Sequence, residues 1–207
     1  MSLRPSGDMT PAQITAAVRS FYDAEVDRRD GLTKQDWKLD ERAAFLDRLR
    51  VAEAVTLLEV GAGTGQDSTF FAGEGLEVTA VDLSPAMIER VRAKGLQGLV
   101  GDVRNLGLPA GSFDAGYAFN SLLHVPNADL AAALASVRAA LKPGGLFYLG
   151  VYGGAEPEEG FSDDHRFFSF RSDHDLLTYA KEQFDILDFH VVHDGELRFQ
   201  SVTLVCP

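Results

Sequence analysis

Apolar residues first recur at helical spacing. Ile14, Val18 and Phe21 share one face of a stretch that opens at Thr10-Pro11. Thr10 can cap such a helix, Pro11 suits its first position, and Gln13 stands where a capping box wants its partner. A second amphipathic stretch over residues 37–50 has Trp37, Phe45, Leu46 and Leu49 as apolar anchors, and the polar segment between the two, DRRDGLTKQD, reads as a flexible connector. From residue 55 the pattern changes. The apolar run 55–60 ends at glycines, as a buried parallel strand does. Residues 67–72 predict a helix and 78–81 a second strand. Ser84-Pro85 opens another helix, with Ser84 as its cap. A weaker strand at 96–100 and a fourth at 113–119 follow. An Ala-rich helix over 128–141 is stopped by Pro143-Gly144-Gly145, glycines that most simply end a helix, and 146–152 predicts a fifth strand. Strands alternating with helices predict βαβ units and a parallel sheet.

The last quarter differs. Residues 153–170 are rich in glycine, acids and aromatics and show no clear period. Helical spacing resumes over 172–179, with Asp175 in the first turn. Two strands, 186–192 and 199–205, flank the short connection HDGELR, which is a hairpin signal. The sheet is therefore expected to end in an antiparallel pair. No internal repeat or low-complexity segment interrupts the 207 residues, a length that suits one domain.

Composition narrows the partners. A net charge of −12 repels polyanions on average, and no Lys or Arg cluster forms a phosphate-tracking stripe, so no nucleic-acid partner is expected. No apolar run approaches the ~20 residues that span a bilayer, so no membrane partner is expected either. The start, MSLRPSGDMTP, has no apolar stretch of a secretory signal, which predicts a cytoplasmic protein. The single cysteine, Cys206, has no internal disulfide partner and reads as a small strand residue.

The strongest chemical signal is Leu58-Glu59-Val60-Gly61-Ala62-Gly63-Thr64-Gly65, a strand running into a glycine-rich turn and then a helix. Glycines permit the tight turn and let a ligand lie against bare backbone. An ordinary βα turn has the same look. A dinucleotide fingerprint wants G-x-G-x-x-G, but its last position here is Gln66; the glycines fall as G-x-G-x-G, with Glu59 two residues ahead. Asp82 ends the second strand, where a carboxylate can accept both hydroxyls of a ribose or simply cap the helix after Ser84. It marks a nucleoside without saying which one.

Taken in order, the glycine turn after Glu59, Asp82 one strand later, Gly101-Asp102-Val103 after the third strand and Leu141-Lys142-Pro143-Gly144-Gly145 before the fifth resemble the class I S-adenosylmethionine-dependent methyltransferases. The resemblance spans roughly residues 55–151, and the C-terminal hairpin fits it. It implies an α/β fold, a Rossmann-like, seven-stranded, mostly parallel sheet with helices on both faces and an antiparallel C-terminal hairpin. Residues 1–50 would be a helical cap, 51–152 the cofactor-binding core, and 153–207 a lid-like segment plus the hairpin, all in one domain. It implies S-adenosylmethionine (SAM) as cofactor and S-adenosylhomocysteine (SAH) as product. Position by position, Glu59 would draw in the methionine ammonium, and Gly61, Ala62, Gly63 and Gly65 would leave room for the cofactor. Asp82 would bind the ribose hydroxyls, Leu83 would pack near the adenine, and Asp102 would accept from the adenine amino group, as an acceptor-only carboxylate can. The Val103 amide would meet a ring nitrogen, and Asn120 would lie near the sulfonium. Tyr22, on the first helix, would reach the methionine carboxylate or else serve as a core aromatic.

Methyl transfer depends mainly on holding the acceptor in line within ~3–3.5 Å. An oxygen or protonated-amine acceptor still gains from a general base. His124, just past the fourth strand, is the first candidate, and its plain alternative is packing in the loop before Pro126. His165 and Arg166 lie in an acidic, aromatic segment that can fold over the site, and Tyr152 stands at a strand end where it can line an acceptor pocket. His174, His190 and His193 read as structural or exposed. No Cys, His and acid set has metal-ligand spacing, so no metal is expected. The expected partner is a small-molecule methyl acceptor bearing a reactive nitrogen or oxygen. A non-catalytic SAM- or SAH-binding sensor is the alternative, and a nicotinamide oxidoreductase is disfavoured by the glycine spacing.

Overall fold

The computed structural model describes residues 3–7, 9–154 and 156–207. Strand β1 (Thr56–Val60) pairs in parallel with β2 (Glu77–Asp82) on one side and β4 (Phe113–Phe119) on the other. Outside these lie β3 (Gln97–Val100) against β2 and β5 (Leu141–Gly153) against β4, again in parallel. A separate two-stranded antiparallel ladder joins β6 (Glu158–Phe161) to β7 (Phe167–Phe170). The main sheet is completed by the hairpin of β8 (Asp185–Asp194) and β9 (Leu197–Val205), with β9 antiparallel to β5. The order β3-β2-β1-β4-β5-β9-β8 is the seven-stranded, mostly parallel sheet that the resemblance implies, and its parallel strands are those expected from the alternation.

Among the described residues seven α-helices surround it: α1 (Pro11–Ala24), α2 (Val26–Asp30), α3 (Asp36–Val51), α4 (Gln66–Gly73), α5 (Pro85–Ala93), α6 (Asn127–Ala140) and α7 (Asp173–Lys181). The capping box at Thr10 forms with Gln13 as read from sequence, and Ser84 caps α5 through the Met87 amide. Each face of the sheet has its own core. Phe45, Leu49 and Phe71 from α3 and α4 pack on Leu57 and Tyr117 of one face. Leu130, Leu134 and Val137 of α6 and Leu176 of α7 pack on Leu58, Phe147 and Leu149 of the other. Each such side chain taken from water contributes about 1.5–3 kcal/mol. Among the described residues no helix is long and apolar enough to cross a membrane.

Three details differ from the sequence reading. The connector DRRDGLTKQD contains most of α2 and is pinned in place, because the Gln66 side-chain amide donates to the carbonyls of Arg29, Asp30 and Leu32. The aperiodic stretch 153–170 holds β6 and β7, which the N-terminal segment joins through paired Arg4–Phe161 backbone hydrogen bonds of 2.8 and 2.7 Å. Strand β5 begins at Leu141, five residues early; Leu141 pairs with Phe113 before the register shifts around Pro143-Gly144 to Leu146 opposite Ala115.

Arg171, 2% exposed, fastens the 153–171 segment to the loop between β4 and α6. Its guanidinium donates to the carbonyls of Val125 (2.6 Å), Leu122 and Ser169 (3.3 Å each), and to Asn127 Oδ1 (2.8 Å). Burial lowers its pKa to about 10, which still leaves it charged at neutral pH. Arg171→Met keeps the volume but strands these acceptors, and is expected to destabilise the fold by on the order of 3 kcal/mol. Urea denaturation checks this; an unchanged midpoint would show that the loop carbonyls find other donors.

Candidate functional site

The glycine turn after β1 holds Gly61, Gly63 and Gly65 at left-handed φ of 72°, 55° and 79°. Gly61 is required by a neighbour: a Cβ there would lie 2.1 Å from Ser121 Cβ, beyond the end of β4. Gly63 is different, because a Cβ there would meet nothing within 4 Å, so its bare backbone faces open space. Gly65 caps α4 and packs toward Val91 of α5, outside the cavity described next.

A cavity of about 300 Å³ lies across the carboxyl ends of β1, β2 and β4. Thr15, Val18 and Tyr22 of α1 border it, joined by Arg29 of α2. Helix α1 is held there by apolar contact of Ile14 and Val18 with Phe167, and by the Ser84 hydroxyl donating to Asp23 at 2.5 Å. Glu59, Gly61, Ala62 and Gly63 form one part of its lining, Asp82 and Leu83 a second, Asp102 and Val103 a third, and Asn120 and His124 a fourth. The structure thus brings together every sequence-expected cofactor residue except Gly65, Tyr22 from α1 and the others from the junctions that follow β1, β2, β3 and β4.

Three acids shape the interior. Asp82 accepts the Gly63 amide at 2.8 Å and the Ser84 amide at 2.9 Å, while burial lifts its pKa above the ordinary carboxyl value. Glu59, 4% exposed, accepts a very short hydrogen bond from Ser68. Burial first, and the neighbouring Asp67 carboxylate second, raise its pKa to about 8. Asp67 itself is paired with Lys34 (2.7 Å) and Arg42 (2.9 Å). At the far end Asp102 is clasped by Arg104; burial works against it, but this side chain and its amide prevail and hold the Asp102 carboxyl below its usual range. The adjacent Val103 amide donates to no protein acceptor among the described residues.

His124 and Tyr22 meet over this interior. The imidazole Nδ1 lies 2.6 Å from the Phe167 carbonyl, an acceptor only, so Nδ1 carries the proton. Nε2 then accepts from the Tyr22 hydroxyl at 2.6 Å. Burial depresses the His124 pKa to about 4 and raises that of Tyr22, with Arg29 and Arg166 opposing the latter shift. Asn120 sits at a left-handed φ of 54°, and its Oδ1 is buried without a partner.

The three residues expected at the substrate do not line the cavity. His165 is exposed at the turn between β6 and β7, at φ 64°. Arg166 bonds Asp164 and lies over the Phe21 and Phe168 rings. Tyr152 donates to Asp194 at 2.9 Å and packs on Trp37 and Phe199. His174, His190 and His193 are exposed. The sequence reading missed Arg29, Lys34, Lys38 and Phe119, all of which line the cavity. Three of them lie in or beside the segment read as a connector, where basic residues gather in an acidic chain.

A family model described as a methyltransferase domain matches residues 57–145. A ubiquinone biosynthesis O-methyltransferase of Xanthomonas axonopodis pv. citri is 30% identical over 152 residues, which cover 65% of this chain and 63% of that one. The chain spans from about a third to just under two thirds of the length of the curated relatives it matches first. Among solved structures, the Burkholderia thailandensis 1,6-didemethyltoxoflavin-N1-methyltransferase with bound 1,6-didemethyltoxoflavin and SAH superposes with a TM-score of 0.84 over 99% of this chain and 94% of that one; at 22% identity this is a likeness of fold. DhpI, solved as its SAH complex, is 26% identical with a TM-score of 0.72 over 94% of this chain and 98% of that one.

With a folded pKa near 4 against an ordinary 6.5, His124 is neutral in the folded protein at pH 7. The unfolded chain takes up the proton first as pH falls, so this stability is complete above pH 6.5 and is lost between 6.5 and about 4. Imidazole ¹⁵N NMR is expected to show a static Nδ1–H tautomer from pH 8 down to about 5.5. A midpoint near 6.5 for this ring would remove the buried Tyr22–His124 bond from the account.

Proposed function

We propose, from the premise that the chain belongs to the class I S-adenosylmethionine-dependent methyltransferase superfamily, that it binds SAM in this cavity and transfers the methyl group to a nitrogen or oxygen of a small molecule. One observation carries the reading. Bare backbone at Gly63, the carboxyl groups of Glu59 and Asp82 and the orphaned Asn120 oxygen converge on one cavity at the split between β1 and β4. Crevices outside the carboxyl ends of strands at such a split are where open α/β sheets take nucleotide-like ligands.

The residues present fit the cofactor. Asp82, already oriented by two backbone amides, has lone pairs left for ribose hydroxyls. Leu83 and Val103 offer apolar contact to the adenine, with the free Val103 amide as a donor, and Asp102, held by Arg104 on both of its oxygens, lies beside them in the lining. Glu59 supplies negative charge for the methionine ammonium. Arg29, whose Nε is buried without a partner, supplies positive charge for its carboxylate and relieves Tyr22 of that role. The unpartnered Asn120 oxygen is then near the sulfonium end.

Bound SAM supplies an electrophilic methyl: the acceptor lone pair forms the new bond as the carbon–sulfur pair returns to sulfur, and any acceptor proton is released. The chain aligns the partners and excludes water beneath α1. His124 Nε2 is the acceptor for that proton once the Tyr22 hydroxyl turns aside. Its low basicity suits an amine or an acidic hydroxyl better than an alcohol. The occupied Nε2 also favours a second reading, a SAM- or SAH-binding module that performs no transfer.

Asp82→Asn removes the charge and one acceptor oxygen and is expected to weaken SAH binding about 100-fold in calorimetry, with a lowered thermal midpoint because the Gly63 or the Ser84 amide loses its acceptor. Undiminished affinity would withdraw the ribose role. Mass-spectrometric screening of amines and phenols with SAM tests transfer, and SAH binding with no methylated product would favour the second reading. On an acceptor so found, His124→Gln should lower kcat about 100-fold and leave the SAH Kd within about twofold. Unaltered turnover would return His124 to a packing role.

A further inference from the structure

In a chain of net charge −12, most cations near this site are neutralised by carboxylates. Lys34 and Arg42 share Asp67, Arg90 takes Asp27 and Asp30, and Lys94 takes Asp30. Lys38 is different. It lines the cavity, is half-buried, and forms no ion pair among the described residues. The two acids that act on it from a distance are engaged elsewhere: Asp194 accepts from Tyr152 and from Gln35, and Asp67 holds Lys34 and Arg42. Lys38 also stands in the first turn of α3, where the helix dipole disfavours a cation. Burial, which costs a charged amine, lowers its pKa. Burial and the helix dipole oppose an ammonium here, Asp194 and Asp67 favour it only from a distance, and none of the nearby acids is placed to pair with it.

The surroundings of that ammonium are flat and apolar. Its Nζ lies 5.1 Å from the Trp37 ring centroid and 5.7 Å from that of Tyr152. Trp37 and Phe119 have centroids 6.1 Å apart and an interplanar angle of 34°, and Phe119, like Lys38, lines the cavity. An uncommitted cation beside aromatic faces is the chemistry that recognises a planar ring carrying negative charge.

Building on the methyltransferase reading, we propose that the methyl acceptor is a planar ring compound bearing an anionic oxygen substituent, with Lys38 taking the anionic group and Phe119, backed by Trp37, packing against the ring. An acceptor of this class also makes modest demands on a base, in keeping with the weakly basic His124.

The test uses calorimetry on the SAH-loaded protein, with benzoates, naphthoates and pyridine carboxylates each paired with its uncharged amide. At least one acid is expected to bind about tenfold or more tightly than its amide, the scale of one charge-assisted hydrogen bond. Lys38→Gln should erase that difference while SAH still binds, and Lys38→Arg should restore most of it. The proposal is overturned if no acid is preferred to its amide, or if the preference survives in Lys38→Gln. Failure of SAH to bind the unaltered protein would instead overturn the methyltransferase reading itself.

Discussion

Strands β1 and β4 end side by side at the centre of the sheet and send their chains to opposite faces, β1 toward α4 and β4 toward α6. The two ends must nevertheless stay in contact. Ser121 donates to the Val60 carbonyl at 2.8 Å, and its Cβ occupies the space that any side chain at position 61 would need. That close approach fixes the floor of the cavity, and Asp82 fixes its wall by holding the amides of Gly63 and Ser84 together. Helix α1, Tyr22 and His124 are arranged above a base whose dimensions are already set.

Much of this was legible in the sequence because it is local. The glycine turn, the acid at the end of β2 and the caps at Thr10 and Ser84 each depend on residues a few positions apart. The limits of strand β4 are legible because it is a buried run between polar turns. What escaped depends on distant partners. Helix α2 has five residues with no apolar period, and Gln66, more than 30 positions on, holds its end. The β6–β7 hairpin consists of two four-residue strands without alternation, and the N-terminal segment supports it. Tyr152, His165 and Arg166 were expected at the substrate because they are aromatic or titratable and follow the core, but the hairpin turns His165 outward and Asp194 claims the Tyr152 hydroxyl.

Net charge misleads at the scale of the site. The chain as a whole is strongly acidic, yet the cavity sets the acidic groups of Glu59 and Asp82 against uncommitted cations at Arg29 and Lys38. A ligand therefore meets a field that changes sign along the cavity, suited to a zwitterion or to neighbouring groups of opposite charge. Composition reports the average, which governs encounter with polyanions, whereas recognition depends on the few charges left without partners.

Burial and the Asp67 carboxylate both resist a second negative charge at Glu59 and favour its protonated form in the ligand-free protein. An ammonium arriving beside it reverses that balance and expels the proton. On the proposed reading, cofactor uptake is thus an exchange of one cation for another across a buried carboxyl group. The interior need not hold a bare anion while it waits, and the heat of binding should vary with the ionisation enthalpy of the buffer that receives the proton.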